Sequence, residues 1–240
     1  MDNIPYEEWT DYVKELFAEE GVKDGILLDL GCGTGSVTEL LAKSGFDMIG
    51  IDNSEEMLEI AMEKRAESGL DILYLLQDMR EFELYGTVKG VVSICDSMNY
   101  ILEYDELVKV FKLVNNYLDP DGIFIFDMNT IYKYKTMGDS VIAENRDEGS
   151  FIWENSYFPE TNINQYELTI FAKDDDGRYT KFEETHLQRG YSLDEVISAL
   201  NEAGLTFVES FGAFTNRPVS DTDDRMYIIA REKGKLKTND

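Results

Sequence analysis

The chain has 240 residues, a mass of 27.5 kDa and 43% hydrophobic residues, which suits one globular domain or one domain with an insert. It has no run of about 18 apolar residues that could form a membrane helix. Its 22 Lys and Arg against 49 Asp and Glu give a net charge of −27, and that field repels phosphate backbones and anionic lipid, so we expect neither nucleic acid nor a membrane as a partner. Two distant cysteines, one histidine and an N-terminus without a signal-like apolar stretch argue against a disulfide framework or a metal site and favour the cytoplasm.

The N-terminal segment predicts an amphipathic helix. Its apolar and aromatic residues recur at spacings of three, four and seven, which place them on one helical face. They are Tyr6, Trp9, Tyr12, Val13, Leu16 and Phe17. We therefore expect residues 1–24 to form a helical cap.

Strands and helices then alternate. Short apolar runs at 26–30, 48–51, 72–76, 88–95 and 123–127 predict buried strands, and helical patterns lie between most of them. Segments 205–214 and 226–230 predict two closing strands. The expected fold is α/β: a Rossmann-like, seven-stranded, mostly parallel sheet with helices on both faces, formed by residues 25–130 and 191–232.

The intervening residues 131–190 predict a small antiparallel β insert. Period-2 segments occur at 153–158, 166–170 and 179–189, and a hairpin turn is expected at 174–177. A capping box formed by Ser192 and Glu195 predicts the start of the next helix. The polar residues 233–240 are expected to be a disordered tail.

A glycine loop follows the first strand and opens a helix, which is the setting of a nucleotide-binding loop. Its sequence is Gly31-Cys32-Gly33-Thr34-Gly35. The dinucleotide fingerprint would need glycine or alanine at the position of Ser36. Asp52 ends the second strand, where a carboxylate can accept hydrogen bonds from ribose hydroxyls.

This Gly-x-Gly-x-Gly loop, preceded by Asp29, resembles motif I of the class I S-adenosylmethionine-dependent methyltransferases. The resemblance covers about residues 26–127, with a return at 192–231. It implies S-adenosylmethionine as the cofactor and S-adenosylhomocysteine as the product. It also implies that Asp78 meets the adenine amino group and that the backbone of Met79 meets the ring. The cofactor-binding residues expected in total are Tyr6, Asp29, Gly31, Cys32, Gly33, Asp52, Asn53, Met57, Asp78, Met79 and Cys95.

More narrowly, the chain is similar to small bacterial methyltransferases with an aromatic N-terminal helix and a β-rich insert after the fifth strand. In that group the helix covers the cofactor, which implies a role for Tyr6 at its methionyl end. The family's fourth motif lies beside the reactive methyl group, and Cys95 and Asp96 occupy that position here. We therefore expect Asp96 at the catalytic end of the site.

The insert should supply residues for the methyl acceptor. His186 is the only histidine, and imidazole suits proton transfer near neutral pH. We name it as a second catalytic candidate, although a structural or surface role is an open alternative. Further candidates are Tyr132, Trp153, Tyr157, Arg189 and Tyr191.

The expected function is methyl transfer to a nitrogen or oxygen of a small molecule by in-line displacement. Two alternatives are a nicotinamide-dependent oxidoreductase on a related fold and a non-catalytic module that binds S-adenosylmethionine. A protein acceptor also stays open. The protein is expected to be a monomer or a homodimer, and the sequence does not identify the acceptor.

Overall fold

The computed structural model describes residues 5–174 and 176–236. After helix α1 (Tyr6–Glu19), strands and helices alternate as the sequence predicts. The elements are β1 (Ile26–Leu30), α2 (Ser36–Lys43), β2 (Asp47–Asp52), α3 (Glu55–Ser68), β3 (Ile72–Leu76), β4 (Val88–Ser93), a 3₁₀ helix (Ser97–Tyr100), α4 (Tyr104–Tyr117) and β5 (Leu118–Asn129). The chain closes with α6 (Leu193–Glu202), β10 (Leu205–Gly212) and β11 (Arg225–Glu232).

The main sheet has seven strands in the order β3-β2-β1-β4-β5-β11-β10. Neighbours from β3 to β5 pair in parallel, and β11 runs antiparallel to both β5 and β10. The predicted fold class, with its mostly parallel sheet of seven strands, is confirmed. The carboxyl ends of β1, β2, β3 and β4 meet at one edge, where ligands bind in sheets of this kind.

Both faces of the sheet are covered. Helices α4 and α6 bury Phe111 and Leu200 against Phe124 and Phe126 of β5. On the other face, Phe17 of α1 and Leu41 of α2 pack in a second cluster that includes Ile125 and Tyr227. Residues 91–92 of β4 and 123–126 of β5 are continuously apolar because helices pack on both sides of these strands.

The insert contains helix α5 (Ile131–Met137) and four strands: β6 (Ser140–Asn145), β7 (Gly149–Phe158), β8 (Ile163–Lys173) and β9 (Tyr179–Arg189). These strands form an antiparallel sheet in chain order. The chain leaves the main sheet at Thr130 and returns at Tyr191, and these two residues form a bridge. The insert is confirmed as β-rich, but strand β6 was not predicted.

One other feature differs from the local sequence pattern. Residues 119–122, Asp-Pro-Asp-Gly, have the composition of a turn, whereas β5 begins at Leu118 and includes them. The register of β5 against β4 shifts at this point, and Asp121 has a φ of 62°. The turn residues thus form an irregularity within a strand.

The predicted domain boundaries stay predictions. Residues 1–4 of the helical cap, Asp175 of the hairpin turn and residues 237–240 of the tail lie outside the described residues. Among the helices that the structure describes, none combines the length and apolar character that crossing a membrane requires.

Candidate active site

The glycine loop is held by the neighbouring strand β2. The backbone amides of Gly31 and Cys32 donate to the carbonyl of Ile51 at 2.8 and 2.9 Å, and the amide of Gly33 donates to Asp52 Oδ2 at 2.7 Å. Gly31, Gly33 and Gly35 all have positive φ, a conformation that glycine adopts without a steric penalty. The loop therefore curves over the end of β1 and leaves space above the sheet.

That space is a cavity of about 520 Å³. Every residue expected to bind the cofactor lines it, although they come from α1, from α3 and from the ends of four strands. These residues are Tyr6, Asp29, Gly31, Cys32, Gly33, Asp52, Asn53, Met57, Asp78, Met79 and Cys95. The structure thus brings the predicted residues together around one cavity. Direct contact of each residue with the cofactor stays a prediction.

Asp52 lies where β2 ends, and both of its oxygens accept backbone hydrogen bonds. Oδ2 accepts from Gly33, and Oδ1 accepts from the amide of Ser54 at 2.9 Å. The next residues begin α3, whose first turn is capped by the Ser54 hydroxyl. The carboxylate is therefore fixed in orientation between the loop and a helix N-terminus, with one side facing the cavity.

Asp29 lies beneath the loop with 2% of its surface exposed. Burial raises the pKa of this carboxyl to about 7, the hydrogen bond from the Thr38 hydroxyl opposes the rise, and the charge of Asp52 adds to it. A group with this pKa changes its protonation near neutral pH. The state of Asp29 therefore depends on what charge the cavity holds.

Asp78 forms an ion pair that the sequence analysis did not foresee. Arg80 contacts its carboxylate at 2.5 Å, and this arginine also lines the cavity. Hydrogen bonds from Arg80 are the main reason why the pKa of Asp78 lies below its usual value. Arg80 follows Asp78 by only two residues in the sequence. An arginine so close to an acidic residue can fold back onto it, so this ion pair could have been predicted.

The opposite end of the cavity lies at the end of β4. Cys95 and Asp96 both have left-handed backbone, with φ of 64° and 56°. Burial raises the pKa of the Cys95 thiol, and the charge of Asp127 adds to this, so the neutral thiol is favoured over a nucleophilic thiolate. Cys95 is thus suited to lining the site.

Asp96 is not among the residues that line the cavity. Its carboxylate pairs with Arg225 at 2.6 Å and accepts from Gln188 at 2.7 Å. Arg225 also pairs with Asp127, which is fully buried. Both oxygens of Asp96 are engaged, so this residue connects β4, β9 and β11. Its catalytic role stays a prediction, and this geometry does not favour it.

His186 does line the cavity, although it lies on β9 of the insert. Its Nδ1 is 3.3 Å from the Tyr100 hydroxyl, and its Nε2 is 3.1 Å from Glu184. Tyr100 also lines the cavity, and no sequence motif predicted it as a site residue. The insert therefore reaches the cavity where β4 ends.

The other acceptor candidates lie elsewhere, since none of them lines this cavity. Arg189 pairs with Glu195 at 3.1 Å and stacks over the Tyr191 ring, and the Tyr191 hydroxyl donates to the carbonyl of Ile101. These contacts attach the insert to the main sheet. Across residues 5–174 and 176–236, no group of three or more acidic, histidine or cysteine side chains is placed to hold a metal ion.

The fold and the glycine loop are those of the class I methyltransferases. Residues 27–122 match a family model described as a methyltransferase domain. A protein of Geobacillus sp. (strain WCH70), named as a putative methyltransferase, is 34% identical over 236 residues, which cover 97% of this chain and 95% of the relative. The crystal structure of an S-adenosylmethionine-dependent methyltransferase from Clostridium acetobutylicum superposes with a TM-score of 0.90 and 29% identity, covering 97% of this chain and 94% of that one.

The chain belongs to the S-adenosylmethionine-dependent methyltransferases. The prediction of a methyltransferase enzyme is confirmed, and the oxidoreductase alternative is not supported. A more distant relative is an N,N-dimethyltransferase of Streptomyces venezuelae, named for dTDP-3-amino-3,4,6-trideoxy-alpha-D-glucopyranose. It is 27% identical over 182 residues, which cover 75% of this chain and 74% of the relative.

The cavity residues fit S-adenosylmethionine. A Cβ placed on Gly33 would meet no atom within 4 Å, so the backbone of this loop borders open space that a ligand can approach closely. Asp52 offers a fixed carboxylate for ribose hydroxyls, and Asp78 and Met79 lie together at the end of β3. When bound, the cofactor supplies an activated methyl group on a sulfonium.

Proposed function

We propose that this protein transfers the methyl group of S-adenosylmethionine to a nitrogen or oxygen of a small-molecule acceptor. The observation that carries the proposal is the shape of the cavity, which runs from the glycine loop and Asp52 to Cys95, Tyr100 and His186. His186 of the insert thus lies with Tyr100 at the end away from the loop. A small acceptor can enter between the insert and the end of β4.

The chain's own contribution is positioning and exclusion of water. Methyl transfer from a sulfonium needs donor and acceptor in line at about 3 Å, and holding them there accounts for most of the acceleration. Tyr6 of α1 lines the cavity, as His186 of the insert does. Together the two elements cover the reacting end and limit its contact with solvent.

A nitrogen acceptor is favoured by two observations. The Streptomyces venezuelae relative is named for N-methylation of an amino sugar, and this chain carries a net charge of −27, which attracts cations. The same charge disfavours nucleic acid as the acceptor. We further propose a cytoplasmic location, which suits the free thiols of Cys32 and Cys95.

The test is a transfer assay with purified protein, S-adenosylmethionine and a panel of small primary amines and phenols. We expect S-adenosylhomocysteine and a methylated acceptor in equal amounts, both measured by mass spectrometry. The matched control is Asp52→Ala, which should weaken cofactor binding and slow the reaction at limiting cofactor. Methylation only of an added protein, or no methylated product from any acceptor at saturating cofactor, would contradict a small-molecule acceptor.

A further inference from the structure

Three polar side chains form a continuous chain at the insert end of the cavity. The Tyr100 hydroxyl lies 3.3 Å from His186 Nδ1, and His186 Nε2 lies 3.1 Å from Glu184 Oε2. The Tyr100 and His186 rings meet edge to face at 5.9 Å. Tyr100 and His186 line the cavity, whereas Glu184 lies outside it and is exposed to solvent.

The strand register explains why these groups meet. Side chains alternate along β9, so Glu184 and His186 share one face with Gln188, and Glu183 lies on the other. Gln188 donates to Asp96 and accepts from the hydroxyl of Tyr134 at 2.8 Å. This face of β9 is therefore fixed to the end of β4.

The direction of the hydrogen bonds follows from the chemistry of the groups. Burial raises the pKa of Tyr100 to about 12, and the charges of Asp96 and Glu184 add to the rise, so its hydroxyl keeps its proton at neutral pH. A neutral phenol donates to an unprotonated Nδ1, and the remaining N–H, on Nε2, then donates to the Glu184 carboxylate. Tyr166 is a further titratable group near Tyr100, and burial also raises its pKa.

We propose that Tyr100, His186 and Glu184 form a proton relay that deprotonates the methyl acceptor. The inference rests on the proposed function and names the class of acceptor: an atom with an N–H or O–H bond that must lose its proton before it can attack. The acceptor's proton moves to the Tyr100 oxygen, while the Tyr100 proton moves to His186 Nδ1. The electron pair of the broken bond stays on the acceptor atom as its nucleophilic lone pair, and Glu184 stabilises the resulting imidazolium.

In this scheme Tyr100 touches the acceptor, and Glu184 acts as a positioning residue through His186. An aliphatic amine reaches the site as an ammonium ion at neutral pH, so it cannot attack until one proton is removed. The acidic groups Asp96 and Glu184 favour the approach of such a cation. A hydroxyl acceptor would need the same proton removal.

The first test requires no acceptor. His186 is the only histidine in the chain, so protein labelled with ¹⁵N-histidine gives one imidazole in an NMR spectrum. At high pH we expect the Nε2–H tautomer in the unchanged protein and a mixture of tautomers in Tyr100→Phe. Tyr85→Phe, which removes a fully exposed hydroxyl outside the cavity, should change nothing. A protonated Nδ1 in the unchanged protein, or no response to Tyr100→Phe, would overturn the relay.

The second test measures methyl transfer against pH with the amines and phenols of the panel. At pH 7 we expect kcat in Tyr100→Phe to fall by about 10²–10⁴-fold, with the Kd for S-adenosylhomocysteine within about twofold of that of the unchanged protein. With amines the deficit should shrink as pH rises, because the amine then loses its proton to solvent. Alkyl alcohols, added to the panel for this test, keep their O–H proton over the same pH range, so with them the deficit should persist. The comparison separates loss of the acceptor's proton to solvent from its removal by the relay.

Matched variants on one strand complete the design. Glu184→Gln should lower kcat, whereas Glu183→Gln, which removes the neighbouring charge on the opposite face of β9, should not. Unchanged kcat at pH 7 in both Tyr100→Phe and Glu184→Gln would exclude the relay. If the unchanged protein methylates no acceptor, the proposed function fails, and the NMR spectrum then decides the relay separately.

Discussion

Asp52 is the residue on which cofactor affinity should depend most. Its carboxylate has a side facing the cavity and also holds the amides of Gly33 and Ser54. We predict that Asp52→Ala weakens binding of S-adenosylhomocysteine by about 1–3 kcal/mol, the range for leaving hydrogen-bonding groups without partners. Titration calorimetry measures this loss directly.

The control for this substitution lies on the same strand. Asp47 begins β2 at the end far from the cavity and is exposed, so Asp47→Ala should leave the Kd unchanged. An equal effect of the two substitutions would mean that Asp52 acts only through overall charge. An unchanged Kd in Asp52→Ala would remove it from the cofactor site.

Asp29 should make the stability of the ligand-free protein depend on pH. Its pKa is raised by burial from 3.8 to about 7 in the folded state. Between these values the folded chain keeps a proton that the unfolded chain releases, so the stability contributed by this group is full below pH 4 and is lost as pH rises towards 7. Asp29→Asn cannot ionise and should not show this loss.

We therefore predict that the unfolding free energy of the unchanged protein, relative to Asp29→Asn, falls by roughly 2–3 kcal/mol between pH 5 and pH 8. Urea unfolding at four pH values measures the difference, in which the other titrating groups cancel. Asp47→Asn, which changes an exposed acid, should show a constant offset. A difference that does not vary with pH would show that Asp29 titrates as an ordinary carboxyl.

At the scale of elements, substitutions of two glycines in the glycine loop should affect folding and binding differently. A Cβ on Gly33 would meet open space, whereas a Cβ on Gly35 would clash with the hydroxyl oxygen of Tyr74 and lie 3.1 Å from Ala61. Both glycines have positive φ, so alanine costs about 1–2 kcal/mol of backbone strain at either position. Only at Gly35 does a steric conflict within the fold add to that cost.

We predict that Gly33→Ala folds with a modest loss of thermal stability and binds S-adenosylhomocysteine much more weakly. Gly35→Ala should lose more stability, and Tyr74→Phe should restore part of it because the clashing oxygen is then absent. Thermal unfolding of the three variants and the double variant tests this, with calorimetry for binding. Equal destabilisation by both alanines, with no recovery in the double variant, would show that the loop adapts freely.

Most elements could be predicted because each carries its own periodic signal. The capping box of Ser192 and Glu195 is present at the start of α6, and the buried strands read as apolar runs. Strand β6 was missed because Val141, Ile142 and Ala143 are contiguous and do not alternate with polar residues. Residues 119–122 have the composition of a turn, but pairing with β4 on both sides keeps them within a strand. In both places tertiary pairing decides over local sequence.

Over the whole molecule, the parts of the site that escaped prediction depend on distant pairs. Asp96 meets Arg225 across 129 positions, and Tyr100 meets His186 across 86. Most of the cavity-lining residues that the sequence predicts follow recognisable motifs at strand ends, so they could be named from sequence. Contacts between the insert and the main sheet have no such signal. Asn99, for example, is buried and bonds to both Asn129 and Arg189, which no local pattern indicates.

The net charge of −27 is also a property of the whole molecule. Charges of one sign on a compact chain repel each other, and salt screens that repulsion. One local example is Glu154 on β7, which lies directly opposite Glu167 on β8, a like-charge pair that destabilises an antiparallel sheet. Folding brings such groups together, so the unfolded chain suffers less repulsion.

We predict that raising NaCl from 10 to 500 mM increases the melting temperature at pH 8, by about 2–4 °C for each kcal/mol of repulsion relieved. Glu154→Gln should melt higher than the unchanged protein at low salt and gain less from added salt, because one repulsive pair is already absent. The same titration at pH 5, closer to the isoelectric point of about 4.2, should show a smaller gain because fewer carboxylates are charged. Scanning calorimetry measures all three. A salt response that is equal at the two pH values would mean that sodium chloride acts on burial of apolar surface, and that surface charge has little influence on the stability of this fold.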